Sequence, residues 1–251
     1  MIIKSHALQQ NVSDMEKINT TSKIEKVPSG VSCIDDLMDG GLEPGVITEI
    51  YGEGGAGKTN LSLQFAISVL SSGFKVIFLD TEGLSVDRLL QTCSGNREML
   101  KNLLLYRITS LDDQELSVIK ADKMIERDRK IKLLIIDSFT EFFRLEKSRD
   151  FQSRVGGMQK NISLLSGIAV RYSIPVLITN QIYMDVDTGK LSPFGGYVID
   201  HSMKAIYNIT KKEEGERVLA VSKHRSIEEG RSIPFWIVSY GLSCSSPKSI
   251  K

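Results

Sequence analysis

From Val27 onward, short apolar runs alternate with longer segments whose apolar residues share one helical face. Val46–Tyr51 reads as a buried strand. A glycine-rich turn follows it directly. A helix is then predicted over Lys58–Ser71, apolar at Leu61, Phe65 and Val69 and at Ala66 and Leu70, with Gly73 just past its end. Lys75–Asp80, Leu103–Ile108, Lys132–Asp137 and Pro175–Asn180 read as four more strands, and the segments between them as helices. The clearest helix is Phe151–Tyr172. Its apolar positions Phe151, Val155, Met158, Ile162, Leu165, Ala169 and Tyr172 advance by fours and threes, so all lie on one side. Continuous apolar strands separated by helices predict an α/β fold with a mostly parallel sheet covered on both faces.

The two ends follow other rules. Residues 1–21 are polar without sustained periodicity and read as a flexible tail, in which Met15 leaves open a second translation start. Pro28–Gly30 is a turn signal. Ser32 is expected to cap a short helix through Ile34, Leu37 and Met38 that stops at Gly40-Gly41. Late in the chain, Met203–Thr210, Arg217–Lys223 and Ser232–Tyr240 are strand-like runs joined by short turns, which predicts a C-terminal antiparallel extension on the sheet edge. The core is therefore expected over 22–242, with a second flexible tail over 243–251.

Composition narrows the classes. The 251 residues carry 32 Lys and Arg against 31 Asp and Glu, a net charge of +1, which excludes a uniformly basic coat for nucleic acid. An apolar content of 41% excludes wholesale disorder. No apolar run reaches membrane-spanning length, and no signal peptide opens the chain. Cys33, Cys93 and Cys244 stand far apart without a CxxC pair, so they read as reduced thiols of a cytoplasmic protein.

The strongest chemical signal lies in the glycine-rich turn. Gly52, Glu53, Gly54, Gly55, Ala56, Gly57, Lys58 and Thr59 match GxxxxGK[ST] in full, between a strand and a helix. Backbone N–H groups of such a loop, with Asn60 following in the first helical turn, surround phosphate oxygens of ATP. Lys58 is expected at the β- and γ-phosphates and Thr59 at Mg²⁺. Asp137, ending an apolar strand, either holds the magnesium shell or merely caps the next helix. Glu82, after the strand ending at Asp80, is a candidate general base or else a solvated loop carboxylate. Gln181, at a third strand end, is a candidate γ-phosphate sensor or else an ordinary amide.

Taken together, GEGGAGKT, FLDTEG, LLIIDS and ITNQ resemble the ATPase core of RecA-family recombinases. Val27–Gly45 is similar to the opening of that core. The segment from Phe194 through His201 resembles the family's closure of its second DNA loop. The match covers about 22–242. The segment Ser222–Ser226 and the short length point to the family's compact archaeal members, paralogues of the RadA recombinase. The resemblance implies a RecA-like fold, weak ATP hydrolysis and DNA binding in homologous recombination and repair, without strand exchange of its own. Implied partners are single-stranded or branched DNA, RadA and an enzyme that processes branched DNA. No Phe-x-x-Ala polymerisation motif precedes the core, although self-association stays open. The second DNA loop, near Ile182–Tyr197, is short and sets Asp185 and Asp187 against Lys190.

The first DNA loop follows Asp137. Its Arg144, Lys147, Arg149 and Arg154 are candidate phosphate contacts, and an aromatic among its Phe residues a stacking partner. The alternative is a mixed-charge loop with its Phe residues docked on the core. Lys223 and Arg225 flank His224, and alternation would put the two cations on one strand face and His224 on the other. By resemblance they reach a neighbouring subunit's γ-phosphate. The rival readings are a DNA-facing patch and a plain strand end. A KaiC-like RecA-fold signalling ATPase that does not act on DNA is the alternative function.

Overall fold

The computed structural model describes residues 25–145, 150–184, 191–193 and 202–247. Among the described residues ten strands form one sheet: β1 (Ile47–Gly52), β2 (Lys75–Asp80), β3 (Leu103–Arg107), β4 (Ile131–Asp137), β5 (Val176–Met184), β6 (Leu191–Pro193), β7 (Ala205–Lys211), β8 (Glu216–His224), β9 (Ser232–Val238) and β10 (Gly241–Ser243). Their order is β10-β9-β8-β7-β1-β5-β4-β2-β3, with β6 paired to β5. The ladders from β7 through β1, β5, β4 and β2 to β3 are parallel, and β7 to β10 form an antiparallel meander. The expected architecture is thus the observed one.

The strands are apolar on both faces because helices cover both. Ile50, Val76, Phe78, Leu133, Ile135 and Leu177 point to one side. There they meet α1 (Ser32–Leu37), α2 (Lys58–Ser71) and α3 (Val86–Thr92). Ile47, Ile77, Leu79, Leu134, Ile136, Val176 and Ile178 point to the other, against α4 (Leu111–Arg127), α5 (Glu141–Leu145) and α6 (Phe151–Tyr172). This alternation is the two-residue period of a strand. Each large aliphatic side chain so buried contributes about 1.5–3 kcal/mol. The helix α6 starts where Asp150 accepts hydrogen bonds from Ser153 N at 2.9 Å and Ser153 Oγ at 2.8 Å.

Four expectations change. Ser32 does not cap α1. The cap position is Val31, and the Asp35 carboxylate instead anchors the preceding turn, accepting from Ser29 N, Ser29 Oγ and Gly30 N. The strand β5 runs four residues past Asn180, so Ile182–Met184, expected in a DNA loop, belong to the sheet and pair with β6. Cys33 and Cys244 are not separate thiols: they form a disulfide with Cα atoms 5.8 Å apart, and Cys93 is the free, buried cysteine among the described residues. The described chain also runs beyond 242, since Ser243 lies in β10 and Cys244 is bonded to α1.

Parallel pairing fixes what comes next. The C-terminal ends of β1, β2, β4, β5 and β7 share one edge, where Gly52 pairs with Gln181 and Asp80 with Asp137. Antiparallel β8 starts at that edge with Glu216 and ends at the opposite one with His224, which pairs with Ala205 at the start of β7.

Candidate functional site

The glycine-rich loop joins β1 to α2 at the shared edge. Two of its glycines have no substitute. A Cβ on Gly52 would stand 2.4 Å from Ile209 O. Gly57 has φ +110°, and its Cβ would stand 2.8 Å from the Ile237 Cδ1. The loop is therefore pressed against β7 and β9 on one side, while the first N–H groups of α2 face its open side.

Lys58 is 6% exposed and donates to the carbonyls of Gly52 and Glu53, both at 3.0 Å. Burial pulls its pKa below the usual lysine value, with the Lys211 charge acting the same way and Glu82 and Asp137 opposing. Asp137 is 2% exposed and accepts hydrogen bonds from the hydroxyls of Thr179 and Thr59. Burial pushes its pKa up to about 6, which those two hydroxyls and the Lys58 charge partly offset. Thr59 and Asp137, read separately from sequence, thus meet. A hydroxyl beside a buried carboxylate is a hard-oxygen donor pair of the kind magnesium takes.

Asp80 holds the next loop. It accepts from the backbone N–H groups of Glu82, Gly83 and Leu84 at 3.2, 2.8 and 2.7 Å and from Arg107 at 2.9 Å. Glu82 so placed accepts from Gln181 Nε2 at 2.6 Å. Arg144 donates to Gln181 Oε1 at 3.4 Å and to Glu141 at 2.5 Å. The candidate base, the candidate sensor and a candidate DNA residue therefore form one chain of contacts. Asn60 accepts from Arg88 Nε at 2.5 Å.

The DNA loop is placed in part. Phe143 is buried against Phe139, ring centroids 5.4 Å apart, and Phe142 packs on the same core, so these two rings are docked as in the alternative reading. Arg154 lies in the first turn of α6. Lys147, Arg149 and the segment 194–201 lie outside the described residues.

The basic strand end departs from simple alternation. The pairing of β7 with β8 slips after Ile206, leaving Ser222 as an extra residue opposite no partner. Such a bulge reverses the faces beyond it. His224 consequently turns inward, its side chain 2% exposed, with Nε2 3.7 Å from Glu43 Oε1. Arg225 has already left the strand and pairs with the other Glu43 oxygen. Lys26 reaches Glu43 at 3.5 Å. Burial lowers the His224 pKa, with Glu43 opposing. Lys223 is exposed. This cluster sits at the sheet edge away from Lys58.

Several residues escaped the sequence reading. Arg88 binds the carbonyls of Val238, Ser239 and Gly241, tying α3 to the β9–β10 turn. Arg217 binds the Ala56 carbonyl, and Lys211 lies beside Gly55. Their partners are mostly backbone atoms, which carry no mark in the sequence.

A family model described as Rad51 matches residues 20–244. The DNA repair and recombination protein RadB of Thermoplasma acidophilum is 51% identical over 230 residues, covering 92% of this chain and 99% of that protein. Its counterpart in Thermoplasma volcanium is 53% identical over 230 residues, covering 92% and 97%. A solved structure described as the crystal structure of the RadB recombinase superposes with a TM-score of 0.74 at 30% identity, covering 86% of this chain and 98% of that one.

Proposed function

The chain belongs to the Rad51 family, grouped with its RadB members, and from that premise we propose that it is an ATP-binding, weakly hydrolysing accessory protein of DNA recombination and repair. Members of the family are ATPases, and the relatives' names speak of DNA repair and recombination, which favours this reading over a signalling ATPase. One observation carries the nucleotide part: Lys58, Thr59, Asp137, Glu82 and Gln181 converge on one sheet edge from four separate segments.

The division of work follows from the contacts. The loop amides and Lys58 bind phosphates. Thr59 and Asp137 would hold the magnesium ion, which supplies positive charge at the β- and γ-phosphates. Glu82, oriented by Gln181, receives the proton of the attacking water. Arg144, itself in α5, links that pair to Glu141, so DNA held by Arg144 and the nucleotide affect each other. Slow turnover by an isolated chain agrees with Arg225 being held by its own Glu43. A neighbour's site would gain its charge only after that pair opened. Action beside RadA and a branched-DNA enzyme, without strand exchange, completes the proposal.

Filter binding of single-stranded DNA with and without Mg·ATP, over a salt series, tests it. Retention should fall with salt on a shallow slope, since few phosphates are contacted, and should depend on nucleotide. Lys58→Ala should lose the nucleotide dependence. No DNA retention at low salt would remove the DNA part, and undiminished ATP binding by Lys58→Ala the nucleotide part.

A further inference from the structure

The meander beyond β7 does more than extend the sheet. The β7–β8 hairpin, turning at Glu213–Gly215, ends beside the phosphate loop. Ile209 O fills the place of a Gly52 side chain, and Lys211 Nζ lies 3.4 Å from where a Gly55 Cβ would be. Arg217, the second residue of β8, donates from Nε to Ala56 O at 3.1 Å. Its Nη1 donates to the carbonyls of Gly215 at 3.0 Å and Glu216 at 3.1 Å, so the guanidinium is fixed by its own hairpin while it grips the loop.

Peptide geometry turns that grip into a function. The C=O and N–H of one trans peptide point in opposite directions. The Ala56 carbonyl and the Gly57 N–H share a peptide plane. With the carbonyl drawn outward to Arg217, the Gly57 N–H faces the inside of the loop. Glycine at 57 permits this, because its φ of +110° is a conformation other residues avoid. Ala56 itself is fully buried, so its carbonyl has no solvent alternative to Arg217 of equal strength.

We propose that Arg217 is a positioning residue of the nucleotide site, which aims the Gly57 N–H at a bound phosphate by holding the Ala56 carbonyl from behind. The proposal rests on the nucleotide reading above. It makes the loop competent within a single chain and assigns that competence to the hairpin, a part of the molecule outside the phosphate-binding motif. The guanidinium acts through geometry, whereas Lys211 on the same hairpin contributes charge alone.

The test is titration of the full chain with a fluorescent ATP analogue and magnesium. Arg217→Met should weaken binding about ten-fold, and Arg217→Lys, which keeps the charge but not the forked donor, should weaken it nearly as much. Lys211→Met should cost distinctly less. With 15N-glycine labelling, the Gly57 amide resonance of Arg217→Met should move before any nucleotide is added, while those of Gly73 and Gly95 stay in place. Wild-type affinity in Arg217→Met or in Arg217→Lys would overturn the proposal, as would an unmoved Gly57 resonance. Failure of the wild type itself to bind the analogue would overturn the nucleotide reading instead.

Discussion

At one edge of the sheet Lys58 and Asp137 are buried with hydroxyls and backbone carbonyls around them, and both titrate away from their usual range because burial outweighs their partners. At the opposite edge Glu43 is just as buried, 6% exposed, but Lys26, His224 and Arg225 surround it. The first edge keeps charge poised at an energetic cost, as sites that act on a ligand do. The second neutralises its charge in place and ties the entry segment, residues 26–43, to the end of β8. The disulfide from Cys33 to Cys244 ties the same segment to β10. One edge is arranged for binding, the other for cohesion.

The comparison can be broken most forcefully at the staple. Reduction, or Cys244→Ser, should lower stability by about 5 kcal/mol, because the bond closes a loop 211 residues long. Urea unfolding with and without dithiothreitol measures it, and equal midpoints would show that the entry segment is held by charge and packing alone. Glu43→Gln should cost about 3 kcal/mol by stranding its cations. Because the clusters lie at opposite sheet edges, ATP affinity should stay within about two-fold of wild type. Linked losses of stability and affinity would mean that the edges are not independent.

At the binding edge the expected result inverts. Asp137→Asn removes a charge that burial disfavours, so stability should hold or rise by about 1 kcal/mol. Mg-dependent ATP affinity should nevertheless fall at least about ten-fold, as read by titration with and without magnesium. A variant that loses stability and keeps its affinity would class Asp137 with the cohesive groups. The smallest effect is that of pH on the cohesive edge. A histidine whose pKa is lowered on folding binds fewer protons folded than unfolded. Its contribution is therefore complete above the ordinary value of 6.5 and is lost as pH falls through the lowered one. His224→Asn should flatten that acid-side decline in melting temperature. An unchanged slope would assign the decline to other groups.

The binding edge was far more legible in the sequence than the cohesive one. The helices Lys58–Ser71 and Phe151–Tyr172 were readable to the residue, because a glycine-rich loop opens the first and one apolar side runs the length of the second. Strands β2 and β4 were readable because each is short and carries a continuous apolar run that ends on an aspartate. Thr59, Asp137, Glu82 and Gln181 could be nominated because each stands at a strand or loop end, where topology does the gathering. The end of β5 was lost because polar Asn180 and Gln181 interrupt the apolar run that marks a strand. The joint pairing of His224 and Arg225 with Glu43 was lost because Arg225 has left the strand, where a two-residue period no longer applies. The disulfide was lost because no local pattern links residues 211 apart. Arg88 and Arg217 were lost because carbonyls accept from them.

The Cys33–Cys244 bond also changes what the described core is as a connected object. A linear chain falls into two pieces when cut once. Between these two cysteines the core is a ring, and one cut leaves it joined. The exposed turn Ser94–Asn96, between α3 and β3, is such a place. Under denaturing conditions, a chain nicked there would separate into fragments only once a reductant was added. A gene re-cut at the same turn, with residue 244 joined to residue 33 by a short peptide across their 5.8 Å Cα separation, would encode the same ring opened elsewhere.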